Sequence, residues 1–305
     1  MTENPVNGRS ALWEHINNNH VTRDSADDLS TFKSSAVNYK LALWNPEVNG
    51  VRYLKALTYN LGRQLTPDNL TRLRRIGNRE IGAPFSVRVH GERVCMDYLQ
   101  AVYELEFIGA RVDLDGAAVL EIGAGYGRTC HALLSNHDLA SYHIVDLQNS
   151  LELARSYLKA ALTAEQFARV VFVPAGRPEL LPGSGFDLCL NIDSFAEMDA
   201  GTVHDYLALI DRLCRYFYVK NPVGKYLDRG LDGHAEGEHV VRLALATGLL
   251  TDVIDIHDSD QVEAMARAFV AVYRPADRWR PVADAWGVPW SYYWQALYHN
   301  EEPGR

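Results

Sequence analysis

The sequence predicts an α/β fold, a doubly wound parallel sheet preceded by a helical N-terminal region, and three observations carry that expectation. From position 117 onward short apolar runs alternate with helical patterns, the signature of parallel strands covered on both faces. The first run, Ala117-Ala-Val-Leu120, enters the acid and glycine-spaced turn Glu121-Ile-Gly-Ala-Gly-Tyr-Gly127, and helix-like Arg128-Thr-Cys-His-Ala-Leu-Leu134 follows. A second strand, Tyr142-His-Ile-Val-Asp146, ends in another acid 25 positions after Glu121.

The elements follow in order. Residues 1 to about 30 are polar, with Asn17-Asn-Asn19 and Asp24-Ser-Ala-Asp-Asp28, and suit an arm or a capping helix. Helical patterns then cover Tyr53–Tyr59, Asp68–Leu73 and Asp97–Ile108, the last with Tyr98, Leu99, Val102, Leu105 and Ile108 at helical spacing. Gly77–Pro84 reads as a loop from its Gly and Pro content. Five strands are expected at Ala117–Glu121, His143–Asp146, Val170–Val173, Phe186–Ile192 and Tyr216–Lys220. Two further helices, near Glu238–Leu250 and Gln261–Val272, precede the aromatic run Trp290-Ser-Tyr-Tyr-Trp294, which suits closing antiparallel strands or a helical cap. The expected division is a helical cap region over 1–110 and a ligand-binding sheet domain over 111–305.

Composition narrows the function. The 305 residues are 47% hydrophobic and 23% charged, as in ordinary globular proteins. A net charge of −9 argues against nucleic acid and for a small-molecule substrate. Cys95, Cys130, Cys189 and Cys214 form no C-x-x-C pair, so neither a zinc ribbon nor a disulfide framework is indicated. With no basic-then-apolar leader at Met1-Thr-Glu-Asn-Pro5 and no long apolar run, the expected location is the cytoplasm.

Glycines in such a turn let backbone approach a ligand and open a helix whose first N–H groups face it. A carboxylate ending the next strand at this distance accepts hydrogen bonds from a ribose. Together they predict a nucleoside ligand. The alternative for Asp146 is capping the helix that starts near Gln148.

E-I-G-A-G-Y-G resembles the first motif of class I methyltransferases that use S-adenosyl-L-methionine (SAM), a Rossmann-like superfamily, and the resemblance runs from about Val112 to the C-terminus. It implies SAM as cofactor, bound by Glu121, Gly123, Gly125, Gly127, Asp146 and Leu147. Asp187-Leu, Asn191, Ser194-Phe195, Glu197-Met198, Tyr206, Phe217-Tyr218 and Asn221 further resemble the family named for sugar O-methyltransferases, over Glu121–Tyr226.

Ligands of a doubly wound sheet bind beyond the carboxyl ends of its strands. Asp193, Ser194, Glu197 and Asn221 follow the fourth and fifth of these strands and, with Tyr126, are the candidate catalytic groups. An aromatic face stabilises a sulfonium by about 0.5–2 kcal/mol. Each has a plainer alternative: Asp193 or Ser194 as a cap, Glu197 as a first-turn acid, Asn221 in a turn with Pro222, Tyr126 in packing. Arg79 and Tyr98, in the cap region, are candidate substrate contacts, Arg79 for a carboxylate, with a surface salt bridge and helix packing as alternatives. His234 and His239 lie among acids but five apart, so no metal is expected.

Two activities fit. One is methyl transfer to a hydroxyl of a sugar or other small natural product. The other is non-methylating cyclisation of SAM itself to azetidine-2-carboxylate and methylthioadenosine, as in azetidine-2-carboxylate synthases, which look similar.

Overall fold

Seven strands join in the order β5 (Val170–Pro174), β4 (Ser141–Asp146), β3 (Ala118–Ile122), β6 (Phe186–Ile192), β7 (Cys214–Pro222), β9 (Tyr293–Asn300) and β8 (Trp279–Trp286) in a computed structural model that describes residues 10–22, 27, 29–183 and 185–301. Met1–Pro5 and most of the 24–28 segment lie outside the described residues. One compact unit ends at Asn60 and a second begins at Leu61. The first contains α1 (Ala11–Asn19), capped by the Ser10 hydroxyl, α2 (Ala36–Leu41) and most of α3 (Pro46–Arg63), which is kinked at Asn49.

The second unit opens with α4 (Pro67–Arg75), whose first turn has Thr66 as a side-chain cap and Pro67 in the first position. A hairpin follows, β1 (Ser86–Val89) and β2 (Glu92–Cys95). His90 and Gly91 both have positive φ, as a two-residue turn between twisted strands requires. Helix α5 (Met96–Gly109) belongs to this unit too.

Then come β3 (Ala118–Ile122), α6 (Arg128–Asn136), β4 (Ser141–Asp146), α7 (Gln148–Ala161), α8 (Ala164–Ala168), β5 (Val170–Pro174), β6 (Phe186–Ile192), α9 (Ala200–Leu213) and β7 (Cys214–Pro222). Strands β3 to β7 pair in parallel. After α10 (Arg229–Asp232), α11 (Glu238–Leu245) and α12 (Ser259–Val272), the chain closes the sheet with β8 (Trp279–Trp286) and β9 (Tyr293–Asn300). Strand β9 runs antiparallel to β7 and to β8. The aromatic run thus ends in a closing strand, the first of its two expected roles.

Strand alternation sorts the core into two layers. Val119, Ile144, Leu188 and Leu190 pack with Leu99, Val102 and Leu133 of α5 and α6. Leu120, Ile122, Val145 and Cys189 pack on the other side with Val203, Leu207 and Ile210 of α9. Both faces are therefore covered, as in a Rossmann-like doubly wound α/β sheet. Chain order reverses between β3 and β6, so their carboxyl ends diverge and leave a crevice there. Among the described residues no helix is long and apolar enough to cross a membrane.

Candidate functional site

The glycine turn occupies that crevice. Gly123 has φ 75°, and a Cβ there would lie 2.0 Å from Ser194 Oγ and 2.4 Å from Ser194 Cβ. No side chain fits. Gly125, at φ 58°, faces open space, with nothing within 4 Å of an added Cβ. Its backbone is thus free for a ligand to approach. Gly127 opens α6 as its N-cap. We expect Gly123→Ala to cost about 2–4 kcal/mol, from the left-handed backbone and the collision with Ser194. A urea midpoint equal to that of the parent protein would refute this account of the turn.

Asp146 closes the turn from β4. Its Oδ2 accepts the Gly125 N–H at 2.8 Å and its Oδ1 the Leu147 N–H at 2.7 Å. The N-cap of α7 is Leu147, and no side chain caps that helix. A carboxylate has about four acceptor sites, so each oxygen retains one for a further donor. The Leu147 side chain is exposed.

A cavity of about 400 Å³ lies over the turn, lined among others by Glu121, Gly123, Gly125, Tyr126, Ser194 and Trp290. Its floor is charged. Glu104, 1% exposed, accepts from Arg128 Nη2 at 2.8 Å and from Lys220 Nζ at 2.9 Å, and Lys220 is 2% exposed. Lys220 also donates to the Val288 carbonyl at 3.0 Å, and Arg128 to the Asp97 carbonyl at 3.1 Å. Burial opposes ionisation of Glu104, but Arg128 and Lys220 outweigh it and hold the carboxyl below its ordinary range. Glu121 forms no ion pair among the described residues, and Arg128 acts on it only at longer range. Burial pushes it up to about 7 although it accepts the Tyr142 hydroxyl at 2.7 Å. Tyr126 donates to Asp97 Oδ2 at 3.0 Å and meets Tyr157 edge-on, ring centroids 5.0 Å apart.

Beyond β6 the backbone is bent sharply. Asp193 holds φ 71° and ψ −39°, a strained conformation for a residue with a side chain. Its N–H donates to the Lys220 carbonyl at 2.8 Å and its Oδ1 accepts the Tyr293 hydroxyl at 2.5 Å. A buried amide network braces the bend. Asn191 Nδ2 donates to the Ile122 carbonyl at 3.0 Å and to Ser194 Oγ at 2.7 Å. Asn221 Nδ2 donates to Asn191 Oδ1 at 2.8 Å, and Asn221 Oδ1 accepts the Ala196 N–H at 3.2 Å.

Asp193, Glu197 and Tyr293 also line a second cavity, of about 470 Å³, with Lys225, Tyr226 and Tyr292 among its other walls. Glu197 is exposed at this wall, and its carboxylate has neither a hydrogen bond nor an ion pair among the described residues. Burial, then the charge of Asp193, push its proton affinity up, and Lys225 opposes them.

Of the residues singled out from sequence, Glu121, Gly123, Gly125, Tyr126, Asp193, Ser194 and Glu197 meet in the first cavity. Gly127, Asp146 and Leu147 border the turn without lining the cavity, and Asn221 lies fully buried in the amide network. Arg79 and Tyr98 stand apart from both cavities. Arg79 donates to Glu92 Oε2 at 2.8 Å and to the Ile76 carbonyl at 2.9 Å. The Tyr98 hydroxyl is buried against His131 Nδ1 at 2.6 Å. Burial lowers the His131 imidazole to about 4. His234 contacts Glu236 Oε2 at 3.2 Å, and among the described residues no group of three or more His, Cys, Asp or Glu side chains is placed to hold a metal ion.

Sequence reasoning missed Glu104, Lys220, Asp97, Trp290 and Tyr293. A signal existed for two of them. Lys220 interrupts the apolar end of a strand and Glu104 an apolar helix face, and opposite charges in two buried elements suggest a pair.

No family model matches the chain, and no curated protein matches it. Solved structures resemble it weakly. The mitomycin 7-O-methyltransferase MmcR is 16% identical with a TM-score of 0.43, over 67% of this chain and 56% of that one. The methyltransferase domain of bacterial CtHen1-CN is 15% identical with a TM-score of 0.46, over 66% of this chain and 97% of that one. The pyocyanin biosynthetic protein PhzM is 17% identical with a TM-score of 0.43, over 92% and 76%. The chain thus spans little more than half of MmcR.

Proposed function

We propose that this protein is a SAM-dependent methyltransferase acting on a hydroxyl of a small molecule, a sugar or other small natural product. The observation that carries the reading is the wall shared by the two cavities, built from Asp193, Glu197 and Tyr293. One cavity lies over a glycine turn with open backbone, the other beside it, so two ligands meet at a pair of acids.

The turn fits the cofactor. Gly125 leaves room for close approach, Asp146 has acceptor capacity for ribose hydroxyls, and Glu121, Gly123, Gly127 and Leu147 shape the same edge. When bound, SAM supplies an electrophilic methyl carbon on a sulfonium. Glu197 accepts the proton of the acceptor hydroxyl, for which its unpartnered carboxylate and raised proton affinity suit it. Asp193, fixed by Tyr293, and Ser194, fixed by Asn191, which Asn221 holds in turn, keep the bend that brings Glu197 to the wall. The ring of Tyr126 lines the cavity where a cation gains from an aromatic face. Net negative charge supports a small-molecule partner over nucleic acid.

Cyclisation of SAM requires one cavity only, so the second cavity favours methyl transfer. Incubation with SAM alone and with an acceptor library distinguishes the two. S-adenosylhomocysteine formed only with an acceptor is expected, and methylthioadenosine from SAM alone would overturn the proposal. Calorimetry should also show that Asp146→Ala weakens S-adenosylhomocysteine by about 1.5–3 kcal/mol. Unchanged affinity would remove Asp146 from the cofactor site.

A further inference from the structure

We propose that the second cavity selects an acceptor bearing an ammonium group on a hydroxylated ring, an amino sugar or aminocyclitol rather than a neutral or anionic sugar. The inference rests on the methyl-transfer reading above and names its acceptor.

Charge comes first. Three carboxylates line this cavity, Asp193, Glu197 and Glu236, against a single ammonium, Lys225. Lys225 is already engaged, its Nζ donating to the Ala196 carbonyl at 3.0 Å and to Thr247 Oγ1 at 3.3 Å. Among the carboxylates, Asp193 accepts from Tyr293, Glu236 contacts His234, and Glu197 accepts no hydrogen bond among the described residues, Lys225 acting on it only through its charge. A neutral sugar entering here leaves the excess of negative charge uncompensated, and an anionic one is repelled. An ammonium does neither.

The second observation is independent of charge. Tyr273 is 1% exposed, its ring wedged between Phe195 and Phe269, and it lines the cavity. Its hydroxyl makes no hydrogen bond among the described residues. On a side chain that lines the cavity, this hydroxyl is free to bond a polar ligand group. Nearby, the Tyr226 and Tyr292 rings stand 5.2 Å apart between centroids. Aromatic faces at such a wall attract a cation as well as the apolar face of a saturated ring. The volume of about 470 Å³ sets the size at that of a small ligand.

The test uses the full chain saturated with S-adenosylhomocysteine, titrated by NMR with glucosamine, N-acetylglucosamine and glucose. Glucosamine should bind at least tenfold more tightly than the other two. Glu236→Gln should shrink that preference severalfold, whereas Tyr273→Phe should weaken all three sugars alike and leave the preference intact. Equal affinities, a preference for a neutral sugar, or no binding of any probe while S-adenosylhomocysteine binds normally would overturn the inference. Failure to bind S-adenosylhomocysteine, with the glucosamine preference retained, would defeat the methyl-transfer reading and uphold the preference of the cavity.

Discussion

Replacing Glu104 by glutamine should destabilise the second compact unit by about 3–5 kcal/mol, because buried Lys220 and largely buried Arg128 then lose the carboxylate that pairs with both. Glutamine retains shape and one acceptor oxygen, so packing changes little and the loss reports charge. Adding Lys220→Met should recover part of it by removing one of the stranded cations, and a double-mutant cycle reads the coupling. The pH dependence fixes the sign. The folded carboxyl is held below its ordinary value of 4.5, so its contribution is present above that value and disappears as pH falls through the folded value. The gap between parent and variant is therefore full at pH 7 and narrows in acid. Urea unfolding at both pH values measures it, and coincident midpoints at pH 7 would show the cluster to be energetically idle.

The same cluster marks where reading the sequence stopped. Strands β3 to β7 were legible because parallel strands buried on both faces appear as apolar runs: Phe186–Ile192 is expected and found with the same bounds. The turn was legible because glycine is the residue that tolerates the backbone at Gly123. Strand β8 was not, since at the sheet edge only Trp279 of it is buried, leaving no apolar run or alternation to read, and it includes Pro281. The hairpin over Ser86–Cys95 was hidden by its charges, Arg88, Glu92 and Arg93. Glu104 and Lys220 lie 116 positions apart, and only folding brings them together. Asn221 shows a different limit. Its type and place after a strand suit a ligand contact, yet its amide binds Asn191 and the Ala196 backbone, because spacing gives a side chain's address and not its direction.

The direction of one side chain decides the chemistry, and Glu197→Gln tests it. We expect kcat to fall by about 10²–10⁴, the usual share of a general base, while S-adenosylhomocysteine affinity changes less than about twofold. Glutamine keeps the volume of the wall between the cavities but has no carboxylate to receive the acceptor proton. In the parent enzyme kcat/KM should rise with pH to a plateau as Glu197 loses its proton, at a midpoint above the ordinary carboxylate value of 4.5, since burial and Asp193 both favour the protonated form. Asp193→Asn separates the two acids. Removing that neighbouring charge lets Glu197 ionise more easily, so the midpoint should move to lower pH, and the slope should persist if Glu197 is the base. The Glu197→Gln profile should lose this limb altogether. If the glutamine variant keeps most of its turnover and Asp193→Asn abolishes both turnover and the acid limb, the proton goes instead to Asp193, the acid held at φ 71° against Tyr293, and the strained bend itself is the catalytic device.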